Sequence, residues 1–379
     1  MNRSKSSSAP RTRKTSRKDV AGYNANFPNH SLCQGENLDF LRMMNSECVD
    51  LIATDPPFNS GRDYFASPNS IAKGAYFPDK WAWSVEMRDQ HLKELKKISP
   101  KVHYYVEGVW QTLGDGALTA FLFFMSLRLL EMKRILKPTG SIYLHCDHHA
   151  SHYLKQLMDV IFGVDNFLGD IIWNKSNGVK SKSHWGNEND NILCYAIRKS
   201  KHTFNNKESV CRVSFSEISL AMHFKHEDEN GRLYRKRTVN GKDYIYYADE
   251  GRFIGNIWND ITSMQANTPL HGERTGYPTQ KPVALYERII LASSNEGDVV
   301  LDPFCGCATT LVAAEKLGRQ WIGIDIHPET RKIVANRIAE ACNLSSPDGS
   351  VSAQLNHLDI ERDLDIHIFT KEDFPPSAN

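Results

Sequence analysis

Short apolar runs that read as buried strands alternate along this chain with longer stretches of helical period. Leu32-Cys33 is one such strand, followed by a helix from about Gly35 to Leu41, and Val49 to Ala53 is a second, apolar but for Asp50. Leu118 to Leu136 carries a long helical pattern that Lys137-Pro138-Thr139-Gly140 stops. Strand Ser141 to Cys146, helix Ala150 to Phe162, strand Asn166 to Trp173 and strand Asn191 to Ile197 follow. After a break the rhythm resumes as helix Pro282 to Ser293, strand Val299 to Leu301, helix Thr309 to Leu317, strand Trp321 to Ile326 and helix Pro328 to Ala341. Such alternation predicts an α/β fold with a doubly wound, mostly parallel sheet. Ile366 to Phe369 is a candidate for one last strand.

Two stretches interrupt the pattern. Residues 59–117 open with a loop, Asn59 to Tyr64, and continue as an insertion that Trp81, Trp83 and Trp110 mark as packed. Residues 198–260 are punctuated by Gly and Asn, and 198–242 hold eleven Lys/Arg against five acids, interleaved with aromatic residues such as Phe215, Phe224, Tyr234 and Tyr244. Cations suit phosphates, while rings and forked guanidinium groups suit bases, so a nucleic-acid-reading segment and a merely solvated β-lobe both fit. Its candidate DNA contacts are Arg232, Arg235, Lys236, Arg237 and Lys242.

Composition narrows the class. The chain has 379 residues, enough for one large domain or two, and its 40% hydrophobic and 24% charged content is ordinary for a soluble protein. No apolar run approaches the roughly 20 residues of a membrane span. The N-terminus is rich in Arg, Lys and Ser without an apolar core, so we expect neither a secretory signal nor a membrane, and a cytoplasmic location. The net charge of +1 conceals a basic tail, 1–19, and an acidic segment, 346–379. Eight cysteines show no CxxC spacing, and Cys305 and Cys307 are too close for an ordinary disulfide, so reduced thiols are expected.

The candidate chemistry sits in two turns. Thr54-Asp55-Pro56-Pro57-Phe58 follows a strand, and two prolines force the chain to leave it in a stiff extended turn. Asp55 and the Pro56 carbonyl are acceptors for a planar amino group, and Phe58 offers a ring on which its base could stack. The second turn is Leu301-Asp302-Pro303-Phe304-Cys305-Gly306-Cys307-Ala308-Thr309-Thr310, a strand, a tight turn and a helix start whose amides favour a carboxylate. Asp325 ends the next strand, placed to hold a ribose diol. GxGxxG and a Lys-Ser/Thr phosphate loop are both missing, which disfavours dinucleotides and nucleoside triphosphates. A nucleoside with a carboxylate and a positive centre fits better, and S-adenosylmethionine is such a molecule.

Together these stretches resemble the DNA amino-methyltransferases of the class in which the catalytic motif precedes the cofactor motif. The resemblance includes Asp55 to Phe58, Leu136 to Asp147, Phe167 to Trp173, Gly255 to Ile261, Tyr277 to Pro282, Leu301 to Thr310 and Trp321 to Asp325, in order over most of the chain. It implies a Rossmann-like sheet of the seven-stranded type, with 20–197 and 261–345 as the catalytic domain and 198–260 as an inserted target-recognition region. It implies methyl transfer from S-adenosylmethionine to N6 of a flipped adenine in double-stranded DNA, with Asp55, Pro56, Pro57 and Phe58 catalytic. Asp302, Phe304, Cys305 and Gly306 would line the methionine end of the cofactor beside Asp55, Asp325 its ribose, and Thr279 and Lys281 would close over it. A companion restriction endonuclease and a homodimer are further candidate partners, on which the sequence does not decide.

The family usually reads Phe-x-Gly-Ser-Gly-Thr-Thr where this chain has Phe304-Cys305-Gly306-Cys307-Ala308-Thr309-Thr310. Ala308 costs little at negative φ and is strained at positive φ. His145, His148, His149 and His152 with Cys146 and Asp147 have the look of a metal cluster, but we expect polar groups near the target pocket and no metal. N4-cytosine methylation and a non-catalytic DNA-binding specificity subunit are the alternatives to adenine methylation, and Asp55, where cytosine enzymes more often carry Ser, favours adenine.

Overall fold

The computed structural model describes residues 27–175, 182–264, 272–342 and 365–374; the basic tail 1–19 and most of the acidic segment lie outside them. Nine strands form one sheet: β1 Ser31–Gln34, β2 Val49–Thr54, β3 Leu136–Cys146, β4 Phe167–Asn174, β5 Asn189–Ala196, β6 Ile257–Trp258, β7 Val299–Asp302, β8 Gln320–Asp325 and β9 His367–Thr370. Their spatial order is β6-β4-β5-β3-β2-β7-β8-β1-β9. Only β5 runs against its neighbours; the other pairings are parallel. The seven strands expected are the inner ones, and the short β6 and β9 extend the sheet at its two edges.

The helices are α1 Asn37–Met43, α2 Val85–Ile98, α3 Pro100–Leu113, α4 Ala117–Ile135, α5 Ser151–Phe162, α6 Glu217–His223, α7 Val283–Ser293, α8 Thr309–Lys316 and α9 Thr330–Ala341. Successive strand residues point to opposite sides of a sheet, so one set of strands feeds two cores. Ile52, Ile142, Leu144 and Leu301 pack with α1, α4 and α5, whereas Leu51, Ala53, Tyr143 and Val300 pack with α7, α8 and α9. That two-sided burial makes these strands read as continuous apolar runs.

Lys137 to Gly140 corrects the sequence reading. The helix ends before these residues as expected, but the strand expected from Ser141 already begins at Leu136. Between the pairs Val49↔Leu136 and Leu51↔Ser141 the β3 chain bulges outward, and Lys137 Nζ donates to Asp50 Oδ2 at 2.6 Å. The same oxygen accepts the Val299 amide at 2.9 Å. A Cβ at Gly140 would lie 2.9 Å from the Asp50 carbonyl, so the bulge needs glycine. Asp50, the one charged residue of β2, thereby pins that strand to both neighbours.

The insertion 59–117 forms a hairpin, Arg62–Phe65 with Tyr76–Asp79, then α2 and α3. Trp81 and Trp83 anchor it on α4, each 4.4 Å by ring centroid from Phe124 and Phe123 respectively. The 198–260 stretch carries α6 and two small sheets, Arg212–Val213 with Arg252–Phe253, and a three-stranded sheet of His226–Glu227, Leu233–Val239 and Lys242–Tyr247. At the other end β9 pairs with β1, and Phe369 and Phe374 close edge-on over Phe27.

Candidate active site

β2 and β7 are adjacent and parallel, so the Asp55 turn and the Asp302 turn leave the same edge of the sheet side by side. A direct bond joins them, from Thr54 Oγ1 to Asp302 Oδ1 at 2.7 Å. One cleft of about 360 Å³ runs across both turns and on past Asp325. It lies outside the carboxyl ends of parallel strands, where open α/β sheets hold ligands. All of Asp55, Pro56, Pro57, Phe58, Thr279 and Lys281 line it. So do Asp302, Phe304, Cys305 and Gly306, and Asp325 closes the far end.

In the first turn, Lys281 Nζ donates to Asp55 Oδ2 at 2.5 Å and lies 4.9 Å from the centre of the Phe58 ring. Asp55 Oδ1 is buried and has no hydrogen-bond partner among the described residues. An ionised acceptor buried without a donor is costly, and it marks where a donor belongs. Phe58 packs on His145, centroids 5.5 Å apart, and His145 meets Trp173 edge-on. Behind the ring, His145 Nε2 and Lys175 Nζ both bond Asp190, at 3.0 and 2.6 Å. Burial pushes the Asp190 carboxyl up, but the His145 bond and the charges of His145, Lys281 and Lys175 outweigh it and hold it well below the usual carboxylate range.

In the second turn Asp302 spends both oxygens inside the protein. Besides Thr54, it accepts the Phe304 amide at 3.1 Å and the Thr310 hydroxyl at 2.6 Å. Complete burial drives its carboxyl up to about 6, against the opposing pull of those hydrogen bonds. Asn37 Nδ2 holds the Pro303 carbonyl at 2.8 Å, tying the turn to α1. Gly306 has φ +46°, and a Cβ there would meet the Tyr277 ring at 3.2 Å. Asp325 accepts the Gly306 amide on Oδ2 and the His327 amide on Oδ1, both at 2.8 Å, and burial raises its carboxyl. Each oxygen keeps a second lone pair for a hydroxyl.

Ala308 takes the strained alternative. It caps α8 in the left-handed region with φ +64° and ψ 28°, where L-residues other than glycine lose about 1–2 kcal/mol. The buried Arg337 guanidinium donates to the Cys307 carbonyl just before it and to Thr309 Oγ1. Cys307 packs with Ala72, Ala75 and Ile333, and Cys305 lies against the space a Gly323 side chain would take. Burial raises both thiols, as befits packing residues rather than nucleophiles.

The sequence did not reveal the roof of the cleft. Phe77 of the insertion hairpin stacks between Tyr64 and Tyr277, centroids 5.0 and 6.3 Å away. Buried Asp79 gathers the Asn59 and Ser60 amides, each at 2.7 Å, and so closes the loop that follows Phe58. Asp79 pairs only after the hairpin forms, and its one trace in the sequence is the density of aromatic residues around it. Among the histidines, Asp147, His148 and His149 bring ligand atoms within 4.8 Å of one another, with Asp147 bonded to His149, while His145 is committed to Asp190. The five basic candidates of the lobe lie away from these turns, on or beside the Leu233–Tyr247 hairpin: Arg232 bonds Asp249, Lys236 pairs with Asp243, and Arg235, Arg237 and Lys242 carry no carboxylate partner among the described residues.

A doubly wound sheet whose carboxyl edge joins an acceptor turn to a glycine turn and an acidic strand end defines a nucleoside-binding α/β enzyme. Residues 49–336 match the DNA methylase family, and the chain belongs to it, among the DNA amino-methyltransferases. It is 32% identical over 272 residues to the Type II methyltransferase M.EcaI of Enterobacter cloacae, covering 59% of this chain and 59% of that protein. It is 26% identical over 319 residues to the DNA adenine methyltransferase YhdJ of Escherichia coli strain K12, covering 84% and 85%. Among solved structures it is similar to the M1.HpyAVI–SAM complex, with 18% identity, a TM-score of 0.42, and 81% of this chain and 98% of the other covered.

Proposed function

We propose that this protein transfers a methyl group from S-adenosylmethionine to N6 of adenine in double-stranded DNA. The observation that carries this reading is the orphaned Asp55 Oδ1, buried in the same cleft as the Gly306 turn and Asp325. The residues present suit the cofactor: amides at the α8 end for its carboxylate, Asp325 for its ribose, and aromatic walls for its apolar parts. When bound, S-adenosylmethionine supplies an electrophilic methyl group on a sulfonium.

The chain's own residues prepare the acceptor. A base inside a duplex hides its amino group, so adenine is flipped out at a cost of a few kcal/mol, and Phe58 offers the stacking face that offsets part of it. N6 then donates to Asp55 Oδ1 and to the Pro56 carbonyl. Lys281 fixes the other carboxylate oxygen, so Oδ1 is aimed before the base arrives. Two acceptors on one amino group draw the nitrogen towards tetrahedral geometry and free its lone pair for the methyl carbon. As the N–C bond formed, the S–C bond would break to leave a neutral thioether, and the proton that N6 sheds would pass to Asp55 Oδ1, to which it is already hydrogen-bonded. Catalysis then rests on position and charge, with no covalent enzyme intermediate.

The residues 198–260 read the target in this scheme, within a cytoplasmic enzyme. No helix among the described residues is long and apolar enough to cross a membrane. Similarity to Type II methyltransferases and to a Type III Mod subunit of Salmonella typhimurium supports a place in restriction-modification beside a companion endonuclease. A homodimer is the expected assembly, read by sedimentation.

Incubation with radiolabelled S-adenosylmethionine and mixed-sequence duplex DNA, followed by nucleoside analysis, tests the reaction. N6-methyladenine is the expected product. N4-methylcytosine would overturn the choice of base, and DNA binding without label would make the chain a specificity subunit.

A further inference from the structure

The basic lobe is not uniformly basic once the register of its hairpin is known. Leu233–Val239 and Lys242–Tyr247 are joined through Asn240 and Gly241, whose φ of 52° and 75° are those of a tight hairpin turn. Directly paired residues share one side of a sheet and successive residues alternate sides. Arg235 with Tyr246, Arg237 with Tyr244 and Val239 with Lys242 therefore make one face. Tyr234 with Tyr247, Lys236 with Ile245 and Thr238 with Asp243 make the other.

The second face neutralises itself. Lys236 Nζ lies 2.6 Å from Asp243 Oδ2, and Asp243 also accepts the Thr238 hydroxyl. Arg232, just before the strand, forks onto Asp249 with bonds of 2.8 and 2.9 Å and reaches Glu250. The first face carries Arg235, Arg237 and Lys242 without an acid, and among the described residues none of the three forms an ion pair with a carboxylate. Arg235 is wedged among aromatic rings, 5.1 Å from Tyr246 and 5.4 Å from both Phe215 and Phe224, with its buried Nε unpaired. Lys242 Nζ lies 5.7 Å from the Tyr244 ring, and Tyr244 is 41% exposed. Unpaired cations alternating with presented rings complement a phosphate backbone and the bases it carries.

We propose, building on the methyltransferase reading, that the face formed by Arg235, Arg237, Lys242, Tyr244 and Tyr246 is where this lobe grips duplex DNA. Arg237 and Lys242 contact phosphates, and Arg235, held by its rings, presents a fixed guanidinium fork. Arg232 and Lys236 shape the hairpin and do not touch DNA. This divides the five cations that the sequence alone could not separate.

Binding of a fluorescent mixed-sequence duplex, measured by anisotropy across a salt series, tests the division. Each lost phosphate contact removes about 0.9 from the slope of log affinity against log salt, so the Arg237→Ala/Lys242→Ala double variant should lose about 2 in slope and roughly tenfold or more in affinity. Lys236→Ala should keep the wild-type slope. Equal losses from Lys236→Ala, or an unchanged slope in the double variant, would overturn the assignment, as would tighter binding to single-stranded RNA than to duplex DNA. Methyl transfer by the wild type is measured on the same duplex. Its absence alongside intact DNA binding would count against the methyltransferase reading alone, and the slopes would still decide the face.

Discussion

Lys281 and Asp55, 226 positions apart in the sequence, meet as a partly buried ion pair with Nζ 2.5 Å from Oδ2, and the pairing leaves the carboxylate's other oxygen free at the cleft. The lysine comes from the segment leading into α7 and the aspartate from the end of β2. One charged group is thus spent on aiming another. A carboxylate free to rotate would offer an incoming amino group a worse-placed acceptor at an entropic cost.

Asp55→Ala should therefore lower kcat by at least roughly a hundredfold, the usual loss when one preorganised hydrogen-bonding group leaves a reacting centre. It also strands a buried ammonium, which costs on the order of 3–5 kcal/mol and puts the fold at risk. Asp55→Ala/Lys281→Met removes that charge and separates the two effects. The double variant should fold, keep a measurable S-adenosylmethionine affinity by calorimetric titration, weakened because Lys281 also lines the cofactor cleft, and fail to transfer methyl even at saturating cofactor. Near-normal turnover in it would take Asp55 out of the mechanism.

Asp325 holds the Gly306 and His327 amides, so it shapes the cofactor turn as well as offering lone pairs to a diol. Hydrogen bonds to a charged group contribute about 1.5–3 kcal/mol each, and losing one to the cofactor costs roughly tenfold in affinity. Asp325→Ala should weaken S-adenosylmethionine binding by that factor or more while a saturating concentration restores much of the turnover. An unchanged titration curve would discredit the ribose assignment.

Asp302 gives the protein a signature in acid. Its folded carboxyl holds its proton up to about pH 6, whereas the ordinary value is 3.8. The folded state binds more protons than the unfolded across that window, so this group's contribution to stability falls as pH rises from about 4 to 6. The full swing is on the order of 3 kcal/mol. Groups with lowered carboxyls, Asp190 and Glu315 among them, push the other way chiefly below their ordinary values, and the raised Asp325 pushes the same way as Asp302, so the total profile mixes several groups. The difference between wild type and Asp302→Asn isolates it: relative to the variant, the wild type should lose stability between pH 4 and pH 7 in denaturant titrations. A flat difference would mean that Asp302 titrates normally.

These features were unequally legible in the sequence. The two turns could be read because each is a short apolar strand ended by proline next to a charged residue, a purely local signal. The same local logic read Lys137 to Gly140 correctly as the end of the helix but missed that the strand already runs through these residues, because what holds them to the sheet is Asp50 on the neighbouring strand. The roof over the cleft stayed invisible for a similar reason: Asp79 becomes an anchor only when Asn59 and Ser60 have been brought to it. The self-neutralisation of Lys236 by Asp243 depends on hairpin register, and a count of cations and acids over the lobe blurs it.

Arg337 is the residue that makes the Ala308 departure workable. A left-handed alanine costs about 1–2 kcal/mol, and the Arg337 guanidinium donates to the Cys307 carbonyl next to it, a bond expected to brace the turn. Arg337→Met should leave that buried carbonyl without its donor, destabilise the fold by about 1–3 kcal/mol, and loosen the turn enough to weaken S-adenosylmethionine binding. Ala308→Gly alone should be close to neutral, since relief of strain is offset by about 0.8 kcal/mol for the lost buried methyl group. In the Arg337→Met background, however, glycine adopts the positive φ without help, so the double variant should recover cofactor affinity while much of the stability loss persists. Calorimetric titration of the four proteins measures the coupling. Strictly additive effects on affinity would mean that Arg337 only fills space beneath α8 and does not hold the turn.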